Sequence, residues 1–131
     1  MLRVQSALPL EIEELVHRTI GCAIQVHRHL GPGFLEAIYL RALCLELRSQ
    51  GLDYERERAV TVRYRLWEIP GQRVDLIVGG HVVVEVKAVR QLDPIHEAKL
   101  LSYLKTTGLR VGLLINFHTL TLRAGLRRLV L

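Results

Sequence analysis

Asp75, Glu85 and Lys87 are the residues of this sequence whose types and spacing could do chemistry together. They lie in the stretch VDLIVGGHVVVEVKAV, residues 74–89, which is otherwise mostly apolar. Side chains two apart on a strand share a face, so Glu85 and Lys87 point the same way. Burying a charge costs free energy unless the charge is paired or binds a metal. The stretch therefore needs either an ion pair or a bound ion.

Metal-assisted hydrolysis of a phosphodiester is the chemistry that suits two carboxylates beside a lysine. Converging carboxylates bind a hard divalent cation, of which Mg²⁺ and Mn²⁺ are the best candidates. The cation lowers the pKa of a bound water and offsets charge on a phosphate. A lysine can position the attacking water or stabilise the charge that develops on the phosphoryl oxygens. Spacing alone leaves open the alternative, a buried Asp–Lys or Glu–Lys ion pair.

Asp75 joins the other two residues only if the turn at Gly79-Gly80 has the right length. A two-residue turn would put Asp75 on the opposite face of the hairpin. A three-residue turn, or one bulge, pairs Asp75 with Val83 and brings it beside Glu85, and a glycine in the left-handed region is the usual device. The sequence therefore predicts an odd-length connection or a bulge.

Two predicted helices carry further polar residues that could reach the same site. Glu36 shares an apolar helix face with Tyr39; it either favours the helix dipole from the first turn or reaches the cation, directly or through water. On a later helix, Lys99 and Tyr103 share a face with His96 and could reach a phosphate or the carboxylates. An exposed polar stripe is the alternative for that second group.

Helices and strands follow one another along the chain in an order that predicts an α/β domain. Apolar residues recur every three or four positions over 10–30, and glycine and proline separate that helix from a second one over 34–49. Alternating residues predict a strand over 57–66, followed by a turn at Ile69-Pro70-Gly71. The remaining predicted elements are strands 73–78 and 81–89, a helix over 94–106 that starts after Asp93, a strand over 110–117 and an edge strand in 125–131. A strand, helix, strand crossover makes strand 110–117 parallel to a central strand 81–89 in a mixed sheet flanked by helices.

The charge of the chain indicates an anionic partner. The chain has 131 residues, half of them hydrophobic, which suffices for a single domain over 1–131 with its own core. A net charge of +5 and a sequence pI of about 9.7 suit nucleic acid, with small basic concentrations at 56–65 and 123–128. No aromatic-rich surface is predicted, and Tyr64 and Trp67 are as well explained as packing residues.

Several classes of protein are excluded by what the sequence lacks. No apolar run approaches the roughly 20 residues of a membrane span. Residues 1–16 do not follow the charged, apolar, small-residue order of a signal peptide. Cys22 and Cys44 have no CxxC spacing and are expected to be reduced core thiols. These features favour a cytoplasmic protein.

The stretch Gly33-x-x-Glu36-x-x-Tyr39, with Val26-His27 ahead of it, resembles the signature of the GxxExxY protein family of the PD-(D/E)XK nuclease superfamily. The resemblance covers nearly the whole chain, through RVDLIVGGHVVVEVKAV and AKLLSYLKTTGLRVGLLINF to the arginine-rich end. It implies a restriction-endonuclease-like α-β-β-β-α-β core with a metal site on the central sheet. His27 is expected to be a structural histidine rather than a metal ligand.

The resemblance also implies a role for each candidate residue. Asp75 and Glu85 would be ligands of the metal, with the backbone carbonyl of Val86 as a third. Lys87 would be the catalytic lysine, and Glu36 the helix acid that completes the site.

The same resemblance extends to the helix over 94–106. Tyr103 matches the tyrosine of a Q-x-x-x-Y element of related nucleases, and Tyr39 is a further candidate for supporting the site. Lys99 occupies the glutamine position of that element, where a lysine could hold a phosphate or compete with the metal.

The function predicted from the sequence is therefore hydrolysis of DNA or RNA by a nuclease-like domain that uses Mg²⁺ or Mn²⁺. Long apolar helices make a homodimer plausible. Two alternatives remain at this point. One is a non-catalytic nucleic-acid-binding or regulatory module on the same fold, and the other is an interaction domain whose charged residues form an ion-pair network.

Overall fold

A computed structural model describes residues 8–131 and contains a mixed five-stranded sheet flanked by helices. Its elements are α1 (Leu10–Leu30), α2 (Glu36–Ser49), β1 (Tyr54–Tyr64), β2 (Trp67–Val78), β3 (Val82–Lys87), α3 (Pro94–Thr107), β4 (Val111–Asn116), a short 3₁₀ helix (Leu122–Gly125) and β5 (Leu126–Val130). The strands lie in the order β1-β2-β3-β4-β5, so β3 is central. The predicted α/β class and α-β-β-β-α-β order are confirmed.

The crossover through α3 gives the parallel pair that the sequence predicts. β3 and β4 are parallel, with partners from Val82 and Val111 at one end to Lys87 and Asn116 at the other. β5 is antiparallel to β4 and lies at the edge of the sheet, also as predicted. Because β3 has a strand on each side, its side chains project only above or below the plane of the sheet.

The helices divide between the two faces of the sheet, and each face buries its own apolar core. Under α1 and α2, the alternate residues Val82, Val84 and Val86 of β3 are fully buried. Under α3, Val83 is fully buried with Leu100 and other residues. Each such side chain contributes roughly 1.5–3 kcal/mol through burial. Alternation then places the side chains of β3 residues 85 and 87 on the α3 face.

The ends of α3 are set by local chemistry. Proline at the first helical position has no N–H to leave unsatisfied, and the helix does begin at Pro94. The backbone N–H of Asp93 donates to His96 Nδ1 at 3.0 Å. Gly108 ends the helix in the left-handed conformation, with φ of 74°, and its N–H donates to Leu104 O at 2.9 Å. The buried side chains of Leu100, Tyr103 and Leu104 define the face that α3 presents to the sheet.

The predicted turn at Ile69-Pro70-Gly71 is wrong. The hairpin turn instead lies at residues 65–66. β2 begins at Trp67 and continues through Pro70 and Gly71. The register between β1 and β2 shifts between Val60 and Val62, which makes Pro70-Gly71 a bulge. Proline is tolerated there because β2 pairs with β3 only over residues 76–78. At Pro70 there is no β3 carbonyl to which a backbone N–H would donate.

Three expectations about the chain as a whole have different outcomes. Cys22 and Cys44 are free and buried in the α1 and α2 core, as predicted. Within residues 8–131, none of the helices combines the length and the apolar composition that a membrane crossing requires. The expectation about a signal peptide rests partly on residues 1–7, which lie outside the described residues.

Gly125→Ala is expected to lower the free energy of unfolding by about 2 kcal/mol or more, because an added Cβ would lie 2.1 Å from the backbone oxygen of Asn116. Gly21→Ala is the matched control. Gly21 is exposed in the middle of α1, and a Cβ there meets nothing within 4 Å. That change should raise stability by about 0.5–1 kcal/mol through helix propensity. Urea denaturation measures both, and equal effects of the two changes would contradict the close approach at Gly125.

Candidate active site

The connection between β2 and β3 has three residues, as the sequence predicts. Val78 pairs with Val82 and Leu76 pairs with Val84, which leaves residues 79–81 as the turn. Both glycines of the turn have positive φ, 58° and 74°. One detail of the prediction is wrong. Continuing this register puts Asp75 opposite Glu85, not opposite residue 83.

The sheet opens where Asp75 and Glu85 face each other. The backbone N–H of Asp75 donates to Glu85 Oε1 at 3.1 Å. The backbone N–H of Val86 donates to Asp75 Oδ2 at 2.9 Å. Each carboxylate thus accepts from an N–H of the opposite strand, where a continuous antiparallel ladder would use a carbonyl. These two bonds fix the orientation of both acids.

Burial dominates the electrostatics of the two carboxylates. Glu85 is only 4 % exposed, and burial followed by the charge of Asp75 raises its pKa to about 7. Burial also raises the pKa of the Asp75 carboxyl, although the bond from the Val86 N–H acts in the opposite direction. Among the described residues no salt bridge joins either acid to a lysine. A compact buried ion pair is therefore not what these residues form.

Two lysines and a tyrosine surround the pair on the α3 face. Lys87 is half-buried at the end of β3, and Lys99 is exposed on α3. The positive charges of both lysines act to lower the pKa of each carboxyl, against the larger effect of burial. Tyr103 is buried, and burial followed by the charges of Glu85 and Asp75 raises its pKa to about 12. Five of the predicted residues thus lie together.

Glu36 and Tyr39 lie apart from this cluster. Glu36 is the first residue of α2 and is exposed, in the first turn where an acid favours the helix dipole. The Tyr39 hydroxyl donates to Gly31 O at 2.5 Å, and its ring stacks on Phe117 at 4.6 Å, in the core beneath α2. Among residues 8–131 no group of three or more His, Cys, Asp or Glu could hold a metal ion. The structure therefore brings together two acids, not three.

Two residues that help to shape the site escape prediction from the sequence. Asn116 is 2 % exposed, and its amide binds both the N–H and the carbonyl of Val89, which holds the chain after β3 against β4. An amide in the apolar run VGLLINF was the signal that could have revealed it. Glu57 has a φ of 50° and lies opposite Asp75 in the register of β1 and β2. No sequence pattern marks that kink.

His27 and the aromatic pair are also placed by the structure. Nε2 of His27 lies 2.7 Å from Thr119 O, in agreement with a structural role. Tyr64 and Trp67 are 54 % and 62 % exposed and stack on each other beside the hairpin turn, with ring centroids 6.4 Å apart. These aromatics therefore pack on each other at the surface and belong to neither apolar core.

The donor set at the opening fits a hard divalent cation. Glu85 Oε1 and Asp75 Oδ2 accept backbone hydrogen bonds, which leaves the second oxygen of each carboxylate without a hydrogen bond from the described residues. Carboxylate oxygens that are partly shielded from water are ligands of the type that Mg²⁺ and Mn²⁺ prefer. A bound cation would also offset the repulsion that raises the pKa of Glu85.

The chain was compared with protein families, curated proteins and solved structures. A family model described as the PD-(D/E)XK nuclease superfamily matches residues 13–129. No curated protein and no solved structure matches the chain. The matched span includes all the residues of the two-carboxylate cluster and the signature around Glu36.

The stability of the metal-free protein is expected to depend on pH through Glu85. Its pKa is about 7 when folded and 4.5 in the reference state, so the folded chain holds a proton that the unfolded chain has released. The stabilising contribution is complete below pH 4.5 and is lost as pH rises through 7, with a magnitude on the order of 2–3 kcal/mol.

Urea denaturation in EDTA between pH 4 and 8 measures this effect. Glu85→Gln keeps the acceptor for the Asp75 N–H but does not titrate, so its stability relative to wild type should increase with pH. Glu14→Gln, at an exposed position of α1, is the control and should show no such trend. A pH-independent difference for Glu85→Gln would contradict the raised pKa.

Proposed function

Because the chain belongs to the PD-(D/E)XK nuclease superfamily, we propose that it is a metal-dependent nuclease that hydrolyses phosphodiester bonds in DNA or RNA. The observation that carries the proposal is the reciprocal pair of hydrogen bonds that orients Asp75 and Glu85 at the opening between β2 and β3. A structural role alone does not explain why two acids are buried side by side with raised pKa values and without a salt bridge.

The two carboxylates would hold the cation, and Mg²⁺ or Mn²⁺ is the proposed ion. Asp75 and Glu85 would each supply the oxygen that accepts no backbone hydrogen bond, and the carbonyl of Val86 is proposed as a third ligand. The bound ion would lower the pKa of a water and offset charge on the phosphate. Glu85 must release its proton before it binds the ion, so affinity should rise with pH up to about 7.

Lys87 is the proposed catalytic lysine. It follows Glu85 by two positions on β3 and is half-buried, so its ammonium lies on the same face as the carboxylates. An ammonium in this position can orient the attacking water or stabilise the charge that develops on the phosphoryl oxygens. Tyr103 lies on the same side and would limit the access of bulk water to the pair.

Glu36 is proposed to act on the site only through water. The segment before α2 is tied to the end of β4, since His118 Nε2 lies 2.7 Å from the carbonyl oxygen of Phe34. The N–H of Phe117 donates to Lys87 O at 2.9 Å. Glu36 therefore lies at the same end of the sheet as Lys87 but does not join the carboxylate pair.

A second candidate function is nucleic-acid binding without cleavage, and Lys99 is the observation that favours it. Its charge acts on both carboxyl groups in the direction opposite to burial, as a bound cation would. If the ammonium of Lys99 partly replaces the metal, the site would still bind a backbone phosphate. Hydrolysis of the phosphodiester bond would then be slow.

Metal binding and cleavage should separate the roles of the acids and the lysine. Calorimetry with Mn²⁺ should detect binding to wild type and to Lys87→Ala but little or none to Asp75→Asn. Cleavage of a panel of single- and double-stranded DNA and RNA should fall by about 10²–10⁴-fold in both variants. Glu14→Gln should match wild type in both assays. Equal cleavage by wild type and Lys87→Ala would point to a contaminating nuclease, and metal binding without cleavage would favour the binding module.

Lys99→Gln should bind Mn²⁺ more tightly than wild type. Removing one nearby positive charge in a partly solvated site is worth on the order of 1 kcal/mol, or about fivefold in affinity. If Lys99 also holds substrate phosphate, KM for the oligonucleotide should rise in the same variant. Weaker metal binding in Lys99→Gln would contradict competition between Lys99 and the ion.

The homodimer and the cytoplasmic location stay predictions. The exposed apolar side chains of Leu35, which directly precedes α2, and of Ile38 and Leu45 on α2 are the surface on which a dimer would most readily form. Sedimentation of the purified chain tests the dimer.

A further inference from the structure

An open groove of about 490 Å³ lies between β1 and α3, outside the carboxylate cluster. Its walls combine two cationic side chains, three hydroxyl groups and one apolar residue. The lining residues are Thr61, Val62, Arg63, Ser102, Lys105 and Thr106. No acid lines it. Cationic groups and hydroxyl donors without a carboxylate are the chemistry that recognises a phosphate.

The cations of the groove are not committed to acids of the protein. Neither Arg63 nor Lys105 forms a salt bridge within residues 8–131. Glu68 is the partner of Arg63 in the register of β1 and β2, but the two side chains make no ion pair. The Ser102 hydroxyl donates to Lys99 O at 2.6 Å. The guanidinium of Arg63 and the ammonium of Lys105 are therefore available to an anion.

The groove lies farther along β1 than the proposed site, and its other wall is on α3. On α3, Ser102 directly precedes Tyr103, whose pKa is raised by burial and by the two site carboxylates. On β1, Glu57 lies opposite Asp75, and residues 61–63 follow four to six positions later. At about 3.3 Å per residue this is roughly 13–20 Å along the strand. A nucleic-acid strand that rises about 3.4 Å per nucleotide covers that distance in about four to six nucleotides.

We propose that this groove binds a backbone phosphate of the same nucleic-acid strand that is held at the carboxylate pair, up to about six nucleotides from the bond that is cut. The proposal rests on the proposed function for its ligand, a polynucleotide. It adds a second contact that positions the strand without reading its sequence. Arg63 and Lys105 supply the charge, and Thr61 and Thr106 supply hydroxyl donors beside it, since the Ser102 hydroxyl already donates to Lys99 O.

Binding of a fluorescently labelled 20-nucleotide strand, measured by anisotropy in EDTA so that no strand is cut, tests the groove. In the double variant Arg63→Gln/Lys105→Gln, affinity at about 0.1 M salt should fall by about tenfold or more. The slope of log Kd against log salt should decrease by about 1 for each lost phosphate contact.

The matched control is Arg41→Gln/Arg48→Gln, which removes the same charge from exposed positions of α2 on the other face of the sheet. It should keep the salt slope of wild type. Circular dichroism and urea denaturation of both double variants show whether the chains remain folded.

The outcomes distinguish this proposal from the proposed function. Cleavage by wild type with Mn²⁺, together with an unchanged affinity and salt slope in the groove variant, would overturn the groove and leave the nuclease standing. A reduced slope in the groove variant without cleavage by any chain would support the groove and contradict the nuclease. Equal losses in the groove variant and the α2 control would overturn the groove, because net charge alone would then explain them. Failure of wild type to bind any strand in EDTA would overturn the groove, and cleavage with Mn²⁺ would still decide the nuclease.

Discussion

The structure depends on how two backbone N–H groups are satisfied where β2 and β3 separate. A buried N–H without a partner costs free energy, and the ladder supplies no carbonyl at this point. The carboxylates of Asp75 and Glu85 take that place, each accepting from the opposite strand. The same bonds orient the acids and keep them close enough to repel each other. The same two carboxylates therefore satisfy the backbone N–H groups and form the candidate active site, since the sheet can open only where acceptors are present.

The two faces of the sheet have different tasks. The face under α1 and α2 is packed with apolar side chains, among which the ring of Tyr39 stacks on that of Phe117. The α3 face has a smaller apolar core and carries the charged residues at its margin. Keeping two acids partly out of water is costly. A large core on the opposite face is what allows a chain of this size to tolerate that cost.

The sequence predicted those parts of the fold that depend on local patterns. Alternation identified the β3 face that carries Glu85 and Lys87, and the crossover rule gave the parallel pair β3–β4. The hairpin turn was misplaced because Pro70-Gly71 usually marks a turn, and only the pairing with β1 shows that it forms a bulge. The role of Glu36 stays a prediction. Its position on an apolar stripe says which side of α2 it occupies but not which face of the sheet that helix covers.

The three residues between Val78 and Val82 have a consequence for how relatives of this chain can diverge. Because a strand alternates every residue, a deletion or insertion of one residue there would rotate Asp75 to the other face while leaving the letters of the motif intact. Insertion or deletion of one residue in this loop would therefore separate the acids, whereas a substitution that keeps positive φ would leave the register of β2 and β3 unchanged. A pattern search that allows a variable gap between the aspartate and the glutamate would thus accept sequences whose acids never meet.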